Sequence, residues 1–208
     1  MRALAPDGGL YMPDRITPLP TGFWQTWRDG DFATLATRLA GHMLGSALPE
    51  DVLAAICADA FSFDVPMVEP VPNMRVLELF HGPTLAFKDF GARWMSRVMA
   101  RFAQARGRQL TILAATSGDT GGAVASAFHN VEGTRVVILY PAGRVSPLQE
   151  KQLTTLGGNV TAVEVAGSFD DCQRMVKAAF LDAELSAACQ LTSANSINIA
   201  RLLPQMFY

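Results

Sequence analysis

Four strand-like segments alternate with helix-like segments over the second part of the chain, and this alternation is the strongest constraint on its fold. The strand-like segments are short, apolar or β-branched runs: Leu110–Ala115, Arg135–Tyr140, Asn159–Val165 and Gln190–Thr192. Repeated strand–helix units of this length predict a parallel sheet with helices on both faces. The runs are apolar throughout rather than alternating, as expected for strands that are covered on both sides. The fold class predicted is therefore α/β.

The intervening segments have apolar residues at helical spacing. Helices are predicted at Lys88–Arg106, Thr120–Phe128, Ser146–Leu156 and Phe169–Ala183, and a last one begins near Asn195. Val76–Phe80 is predicted as a further short strand ahead of the first of these helices.

The first 73 residues have a different pattern and are predicted as a separate turn-rich and helical segment. Apolar residues recur at helical spacing over Phe32–Leu44 and Glu50–Phe61. Three prolines within Val65–Asn73 forbid a helix and favour an extended connector. The α/β part is predicted over residues 74–208, and we expect it to continue beyond Tyr208, because the apolar helical run Leu202–Tyr208 ends without a cap.

Composition excludes several classes of function. The chain has 208 residues and a formal net charge of −2, without a long basic stretch, so a nucleic-acid partner is not expected. It has no apolar run of membrane length and no leader-like N-terminus, which favours a soluble, cytoplasmic protein with no membrane partner. Its three cysteines are widely spaced and predict neither disulfides nor a metal site.

Lysine is rare in this chain, which makes Lys88 a candidate for imine chemistry. Only three of the 17 basic residues are lysines, and an amine, unlike a guanidinium, can lose its proton and form an imine. Phe87 and Phe90 flank Lys88 at a predicted helix start, and apolar rings there would favour a neutral amine. The alternative is a surface lysine beside Asp89, with Asp89 as a surface acid or a helix cap.

A polar, glycine-rich loop follows the Leu110–Ala115 strand and opens a helix. In a doubly wound sheet this is where backbone N–H groups and hydroxyls bind anions such as carboxylates or phosphates. The spacing of its glycines fits neither a nucleotide P-loop nor a dinucleotide fingerprint. A purely structural turn remains the alternative. The candidate binding residues of this loop are Thr116, Ser117, Gly118, Asp119 and Thr120.

Taken together, five stretches resemble the threonine synthase family, pyridoxal-phosphate enzymes with the tryptophan-synthase-β-like fold. The lysine stretch ELFHGPTLAFKDF and the loop stretch ATSGDTGGAV are the most specific of them. The five stretches, in chain order, are Asp7–Pro13, Glu78–Phe90, Ala115–Val124, Tyr140–Val160 and Ser193–Gln205.

The resemblance implies roles for individual residues. Lys88 would carry pyridoxal 5'-phosphate as a Schiff base, with Phe87 beside the cofactor, and the loop at 116–120 would face the substrate's carboxylate. The last stretch would contact substrate or phosphate, although Asn195 or Ser196 could instead be a helix N-cap. The residues implied in that last stretch are Asn195, Ser196, Asn198 and Arg201.

The activity implied is conversion of the small molecule O-phospho-L-homoserine and water to L-threonine and phosphate, by a monomer or homodimer. Two alternatives stay open. A related phospho-lyase would release a keto acid instead of threonine. A catalytically inactive fragment is the other, because family chains are about twice as long and carry their cofactor-phosphate loop in the part that would follow Tyr208.

Overall fold

The N-terminal part of the chain is a helical layer. The computed structural model describes residues 9–27, 30–196 and 198–207, so Asp7 and Gly8 of the first family-like stretch lie outside the described residues. Helices α1 (Phe32–Leu44) and α2 (Glu50–Ala60) pack against each other. Asp31 begins α1 by accepting a hydrogen bond from the backbone N–H of Thr34 at 2.7 Å. The two predicted helices are confirmed to within one residue.

A two-stranded antiparallel hairpin follows, made of β1 (Met67–Val71) and β2 (Met74–Leu77). The extended connector predicted up to Asn73 is therefore a strand in most of its length, and Asn73 turns with φ at 66°. The strand predicted over Val76–Phe80 is wrong in its second half. Its last pairing contact is the Glu78 N–H donating to the Pro66 carbonyl at 2.9 Å, beyond which no partner strand continues.

The α/β part is built on a four-stranded parallel sheet, which confirms the predicted fold class. Its strands are β3 (Leu110–Ala115), β4 (Thr134–Pro141), β5 (Val160–Val165) and β6 (Leu191–Thr192). Their spatial order is β5-β4-β3-β6, and every neighbouring pair is parallel. The central strand β4 is mostly buried, as expected in a sheet covered on both faces.

Helices cover both faces of this sheet. One face packs against α3, α4 and α5 in a core that includes Met95, Met99 and Leu153. The opposite face packs against α6 through Cys172, Leu113 and Leu139. The helices are α3 (Lys88–Gln104), α4 (Asp119–Phe128), α5 (Pro147–Thr154), α6 (Phe169–Leu181), α7 (Ala183–Cys189) and α8 (Ile199–Leu202).

The end of the chain departs most from the sequence predictions. Helix α7 was not predicted, and α8 begins at Ile199 rather than near Asn195 because Asn198 is its N-cap. A 3-10 helix at Leu203–Met206 replaces the single helical run predicted to Tyr208, which itself lies outside the described residues. Within the described part of the chain, no helix is long and apolar enough to cross a membrane.

An aromatic cluster joins the N-terminal layer to α3. Phe61 from the end of α2 stacks on Trp94 of α3 with ring centroids 6.4 Å apart, and Phe207 packs edge-on against both rings. Arg93 of α3 adds polar contacts by donating to the carbonyl oxygens of Asp59 and Ala60 at the C-terminal end of α2. These contacts fix α3, and therefore its first residue, against the N-terminal layer.

Candidate active site

Lys88 is the first residue of α3, and its amine meets the first residue of α4. The Lys88 Nζ lies 2.9 Å from Oδ2 of Asp119 and 4.9 Å from the centroid of the Phe87 ring. The Lys88 side chain is 25% exposed, so the amine can be reached from solvent. The structure thus brings together the two most specific stretches of the sequence, although 31 residues separate them.

The environment expected for the amine differs from the one observed. Phe90 does not flank it: the Phe90 ring is fully buried and packs edge-on against Phe32 and Phe63, with centroids 5.4 and 5.1 Å away. Residues two apart on a helix point about 200° apart, so Lys88 and Phe90 occupy opposite faces of α3. The Asp119 carboxylate lies where a second ring was expected, with its Oδ2 2.9 Å from the Lys88 amine.

The loop before α4 is organised around the hydroxyl of Thr116. This hydroxyl accepts hydrogen bonds from the backbone N–H groups of Gly118 at 3.2 Å and Gly121 at 2.9 Å, and it donates to the Gly118 carbonyl at 3.0 Å. The Thr116 backbone N–H donates to the Leu139 carbonyl of β4 at 2.9 Å. Thr116 is buried, so it holds the loop together from the inside.

The outer side of the same loop offers free donors. The backbone N–H groups of Ser117, Asp119 and Thr120 have no hydrogen-bond partner among the residues that the structure describes. They lie at the N-terminus of the ten-residue helix α4, where the helix dipole is positive. Ser117 is exposed and Thr120 is half-buried, so both hydroxyls are accessible. The arrangement can bind a small anion.

A cavity of about 470 Å³ lies between this loop, the segment before Lys88 and α5. Leu79, Phe80 and Leu85–Phe87 supply most of the apolar wall, and Asp119 lines the cavity from the loop. The side chains of Gln149 and Gln152 on α5 also line the cavity. Both lie close to backbone of the 118–122 segment: a Cβ added to Gly118 would be 3.2 Å from Gln149 Nε2, and one added to Gly122 would be 2.9 Å from Gln152 Oε1. Sequence reasoning missed both, although their i, i+3 spacing puts them on one face of the predicted helix.

The last family-like stretch presents two of its candidate residues outward and two inward. Asn195 and Ser196 are exposed, whereas Asn198 is fully buried and accepts from the Ala200 N–H at 3.0 Å. The N-cap of α8 is therefore Asn198, and the alternative that Asn195 or Ser196 caps this helix is wrong. Arg201 is buried, and its guanidinium donates to the Ala194 carbonyl at 3.0 Å.

Arg201 also connects this stretch to α3. A Cβ added to Gly91 would lie 3.0 Å from the Arg201 Nε, so only glycine leaves the guanidinium this close approach. Gly91 lies three residues after Lys88 on the same helix. The buried arginine therefore places the 193–201 segment next to the helix that begins with the lysine.

Asp89 is neither the surface acid nor the simple cap that the sequence suggested. Its side chain is 1% exposed and accepts two hydrogen bonds from Thr84, from the backbone N–H at 2.9 Å and from the hydroxyl at 2.7 Å. Burial raises the pKa of Asp89, while the Thr84 hydrogen bonds and the charge of Arg93 lower it. Neither Asp89 nor Asp119 belongs to a metal-binding cluster, and the described residues contain no group of three or more potential metal ligands.

Comparison with known proteins accounts for both parts of the chain. A family described as pyridoxal-phosphate dependent enzyme matches residues 76–201, and one described as threonine synthase N terminus matches residues 1–61. A threonine synthase from Serratia marcescens is 52% identical over 208 residues, which is all of this chain and 48% of that protein. The chain thus spans about half the length of the curated relatives it matches.

Solved structures give the same result. A threonine synthase from Brucella melitensis, solved with pyridoxal phosphate bound, superposes with a TM-score of 0.94 at 40% identity, covering 99% of this chain and 46% of that one. The yeast enzyme superposes at 0.91 with 36% identity over 99% of this chain and 44% of its own. The chain therefore belongs to the pyridoxal-phosphate dependent enzyme family, and it matches the N-terminal part of threonine synthases over its whole length.

Proposed function

We propose that the protein is a threonine synthase, which converts O-phospho-L-homoserine and water to L-threonine and phosphate. The observation that carries the proposal is the contact between the Lys88 amine and Asp119, at the head of an anion-binding loop and beside a cavity. Family membership supplies the class of cofactor, and the similarity to named threonine synthases favours this activity over a phospho-lyase.

The residues around Lys88 fit pyridoxal 5'-phosphate. The amine is accessible, a cavity of about 470 Å³ lies beside it, and this volume is in the range of about 300–1,000 Å³ typical of small-molecule sites. Lys88 would hold the cofactor covalently through its amine, with the Phe87 ring alongside. When bound, the cofactor supplies the electron sink that withdraws charge from the substrate's carbon atoms.

The loop at 116–120 would bind the substrate's carboxylate. The N–H groups of Ser117, Asp119 and Thr120 and the hydroxyls of Ser117 and Thr120 are available to an anion, and no full positive charge is needed for this. Thr116 and Gly118 would contribute indirectly, because the hydrogen bonds between them hold the loop in this conformation. The Asp119 carboxylate is directed to Lys88 Nζ, 2.9 Å away.

The segment at 195–201 would contact the substrate or its phosphate. Asn195 and Ser196 are exposed and could make direct contacts. Asn198 and Arg201 are buried, and in this proposal they hold that segment against the helix of Lys88.

Lys88 would also move protons once substrate has released its amine. Elimination of phosphate from Cγ and addition of water at Cβ require protons to be removed from Cα and Cβ and protons to be added at Cγ and Cα, and a single mobile amine can reach these neighbouring atoms. The Asp119 Oδ2, 2.9 Å from Nζ, would direct the amine and stabilise the proton it carries.

Product analysis tests the proposal. Full-length protein is incubated with pyridoxal phosphate and O-phospho-L-homoserine, and the products are separated. L-threonine with an equal amount of phosphate supports the synthase, 2-oxobutyrate would identify a phospho-lyase instead, and no turnover would refute both.

Borohydride trapping tests the lysine. After reduction with pyridoxal phosphate present, the cofactor mass should be found on the peptide that contains Lys88. Lys88→Ala should abolish both the label and the turnover. The matched controls are Lys151→Ala and Lys177→Ala, which remove the other two lysines of this chain and should change neither.

A reducing, cytoplasmic setting is part of the proposal. The cysteines Cys57, Cys172 and Cys189 are all free, and the first two are buried thiols. Thiols of this kind are the usual state of proteins in a reducing compartment.

A further inference from the structure

The turn that precedes Lys88 is held in a conformation that its sequence does not favour. Leu85 has φ at 60°, in the left-handed region that side chains other than glycine and asparagine rarely adopt. Its N–H donates to the Gly82 carbonyl at 3.0 Å, and its side chain is 68% exposed on the wall of the cavity. Pro83 favours the turn itself, but the strained backbone of Leu85 has to be offset by contacts from outside this residue, because its exposed side chain contributes little burial.

Asp89 supplies that stabilisation from the first turn of α3. Both of its carboxylate oxygens accept hydrogen bonds from Thr84, which immediately precedes Leu85. The fit is tight: a Cβ added to Gly82 would lie 2.4 Å from Asp89 Oδ2. The carboxylate is therefore enclosed by the turn it holds, and any displacement of the turn would break two hydrogen bonds to a buried acid.

The same residue is covalently next to Lys88. Asp89 cannot move without moving the backbone that carries Lys88, and Thr84 cannot move without moving the cavity wall at 84–87. Arg93, one turn further along α3, lowers the pKa of Asp89 against the effect of burial and is itself anchored to the end of α2. The turn, the lysine and the N-terminal layer are thus connected through one short stretch of α3.

We propose that Asp89 is a positioning residue of the active site, which clamps the Gly82–Leu85 turn and so sets the direction of Lys88 and the shape of the cavity wall. This inference rests on the proposed function. It assigns Asp89 no contact with substrate or cofactor; its effect is exerted through Thr84 and Lys88.

Two substitutions at this position separate the clamp from the charge. Asp89→Asn can keep both hydrogen bonds, because its carbonyl can accept from the Thr84 N–H while its amide donates to the Thr84 hydroxyl after that hydroxyl rotates. Asp89→Ala keeps neither and leaves the partly buried Thr84 N–H without this partner. We expect kcat to fall about 10- to 100-fold in Asp89→Ala and less than about threefold in Asp89→Asn, since small displacements of a reacting group have large effects on rate.

Substitutions at Thr84 test the same clamp without touching α3. Thr84→Val removes one donor and should lower kcat about 3- to 10-fold, and Thr84→Ser should restore it. These variants keep the test decisive if Asp89→Ala does not fold. In each variant, KM for O-phospho-L-homoserine should change less than kcat, because the loop at 116–120 is untouched.

Asp171 provides a matched control. It too accepts hydrogen bonds from one residue's N–H and hydroxyl at the start of a helix, in this case from Ser168, the N-cap of α6, at 2.7 Å each. Asp171→Ala should lower the melting temperature but leave kcat and the absorbance spectrum of the bound cofactor unchanged. If Asp89→Ala behaves in the same way, Asp89 is only a structural residue and the proposal is overturned.

Hydrogen exchange of cofactor-free protein makes the inference testable apart from activity. Peptides covering residues 82–88 should exchange at least about tenfold faster in Asp89→Ala than in wild type, and no faster in Asp171→Ala. Unchanged exchange would overturn the clamp even if the enzyme were active. The two proposals can also fail separately. If Asp89→Ala exchanges faster than wild type but the wild-type protein makes no threonine, the proposed function is refuted and the clamp is not.

Discussion

Replacing Gly121 by alanine should loosen the loop that we assign to the substrate's carboxylate. A Cβ at this position would lie 2.4 Å from Cγ2 of Thr116, 2.7 Å from its Cβ and 2.8 Å from its Oγ1. Ordinary contacts between such atoms are about 3.5–4.0 Å, so Thr116 would have to move by about 1 Å. It is buried and its hydroxyl is hydrogen-bonded to Gly118 and Gly121, so it cannot move without losing those bonds.

The cost can be worked out from these contacts. Overpacking in a buried site costs about 1–3 kcal/mol, and each hydrogen bond that is lost costs about 1 kcal/mol. Replacing glycine by alanine within a helix stabilises the folded state by about 1 kcal/mol, which offsets part of this cost. The net destabilisation of the loop is about 2–4 kcal/mol, which corresponds to an increase of about 30- to 700-fold in the population of its open form.

Native-state hydrogen exchange measures this directly. Peptides covering residues 115–124 should exchange about 30- to 700-fold faster in Gly121→Ala, and kcat/KM should fall. Gly122→Ala is the matched control: it lies in the same helix, but its Cβ would meet only the end of the flexible Gln152 side chain, which can swing away. Equal exchange rates in the two variants would show that Thr116 is not the packing constraint we describe.

Two further predictions concern groups whose pKa values are shifted by the fold. Burial raises the pKa of Cys57 to about 11, so iodoacetamide at pH 8 should alkylate the half-buried Cys189 first and leave Cys57 unmodified in native protein; mass spectrometry showing equal labelling would contradict this. The hydrogen bond from Arg97 lowers the pKa of Asp59, so the stability it contributes is present above the ordinary carboxyl pKa of about 4 and is lost as pH falls through the lower folded value. Asp59→Asn should therefore lose less stability than wild type between pH 6 and pH 3 in urea unfolding, and parallel losses would refute the assignment.

Local patterns in the sequence were sufficient for the elements of the fold and for the two stretches that carry the proposed chemistry. The period of the apolar residues gave α1 its observed bounds, Phe32–Leu44, and gave α3 its start at Lys88, since helix periodicity is a local property. The strand–helix alternation was enough to predict a parallel sheet. The scarcity of lysine and the glycine-rich loop at 116–122 singled out the two stretches.

Local patterns failed where contacts with residues outside the helix or strand itself decide the outcome. The end of β2 depends on Pro66 across the hairpin, and the start of α8 depends on its N-cap Asn198, whose amide also donates to the Ser193 carbonyl. The environment of Lys88 was mispredicted for the same reason. Nothing in the residues next to Lys88 in the sequence indicates that its amine contacts the carboxylate of Asp119.

The sequence by itself determined which residue types stand at the start of α3 and of α4, and that each start is a helix N-terminus in an α/β fold. Only the tertiary structure decided that these two starts meet, with Lys88 Nζ 2.9 Å from Asp119, and that Asp89 turns inward to Thr84 while its neighbour stays accessible. The physical reason is that secondary structure follows from interactions a few residues apart. The orientation of the Lys88 amine and the charged groups around it depend on side chains from different elements. Only the packing of β3, α3 and α4 brings these side chains within hydrogen-bonding distance of one another.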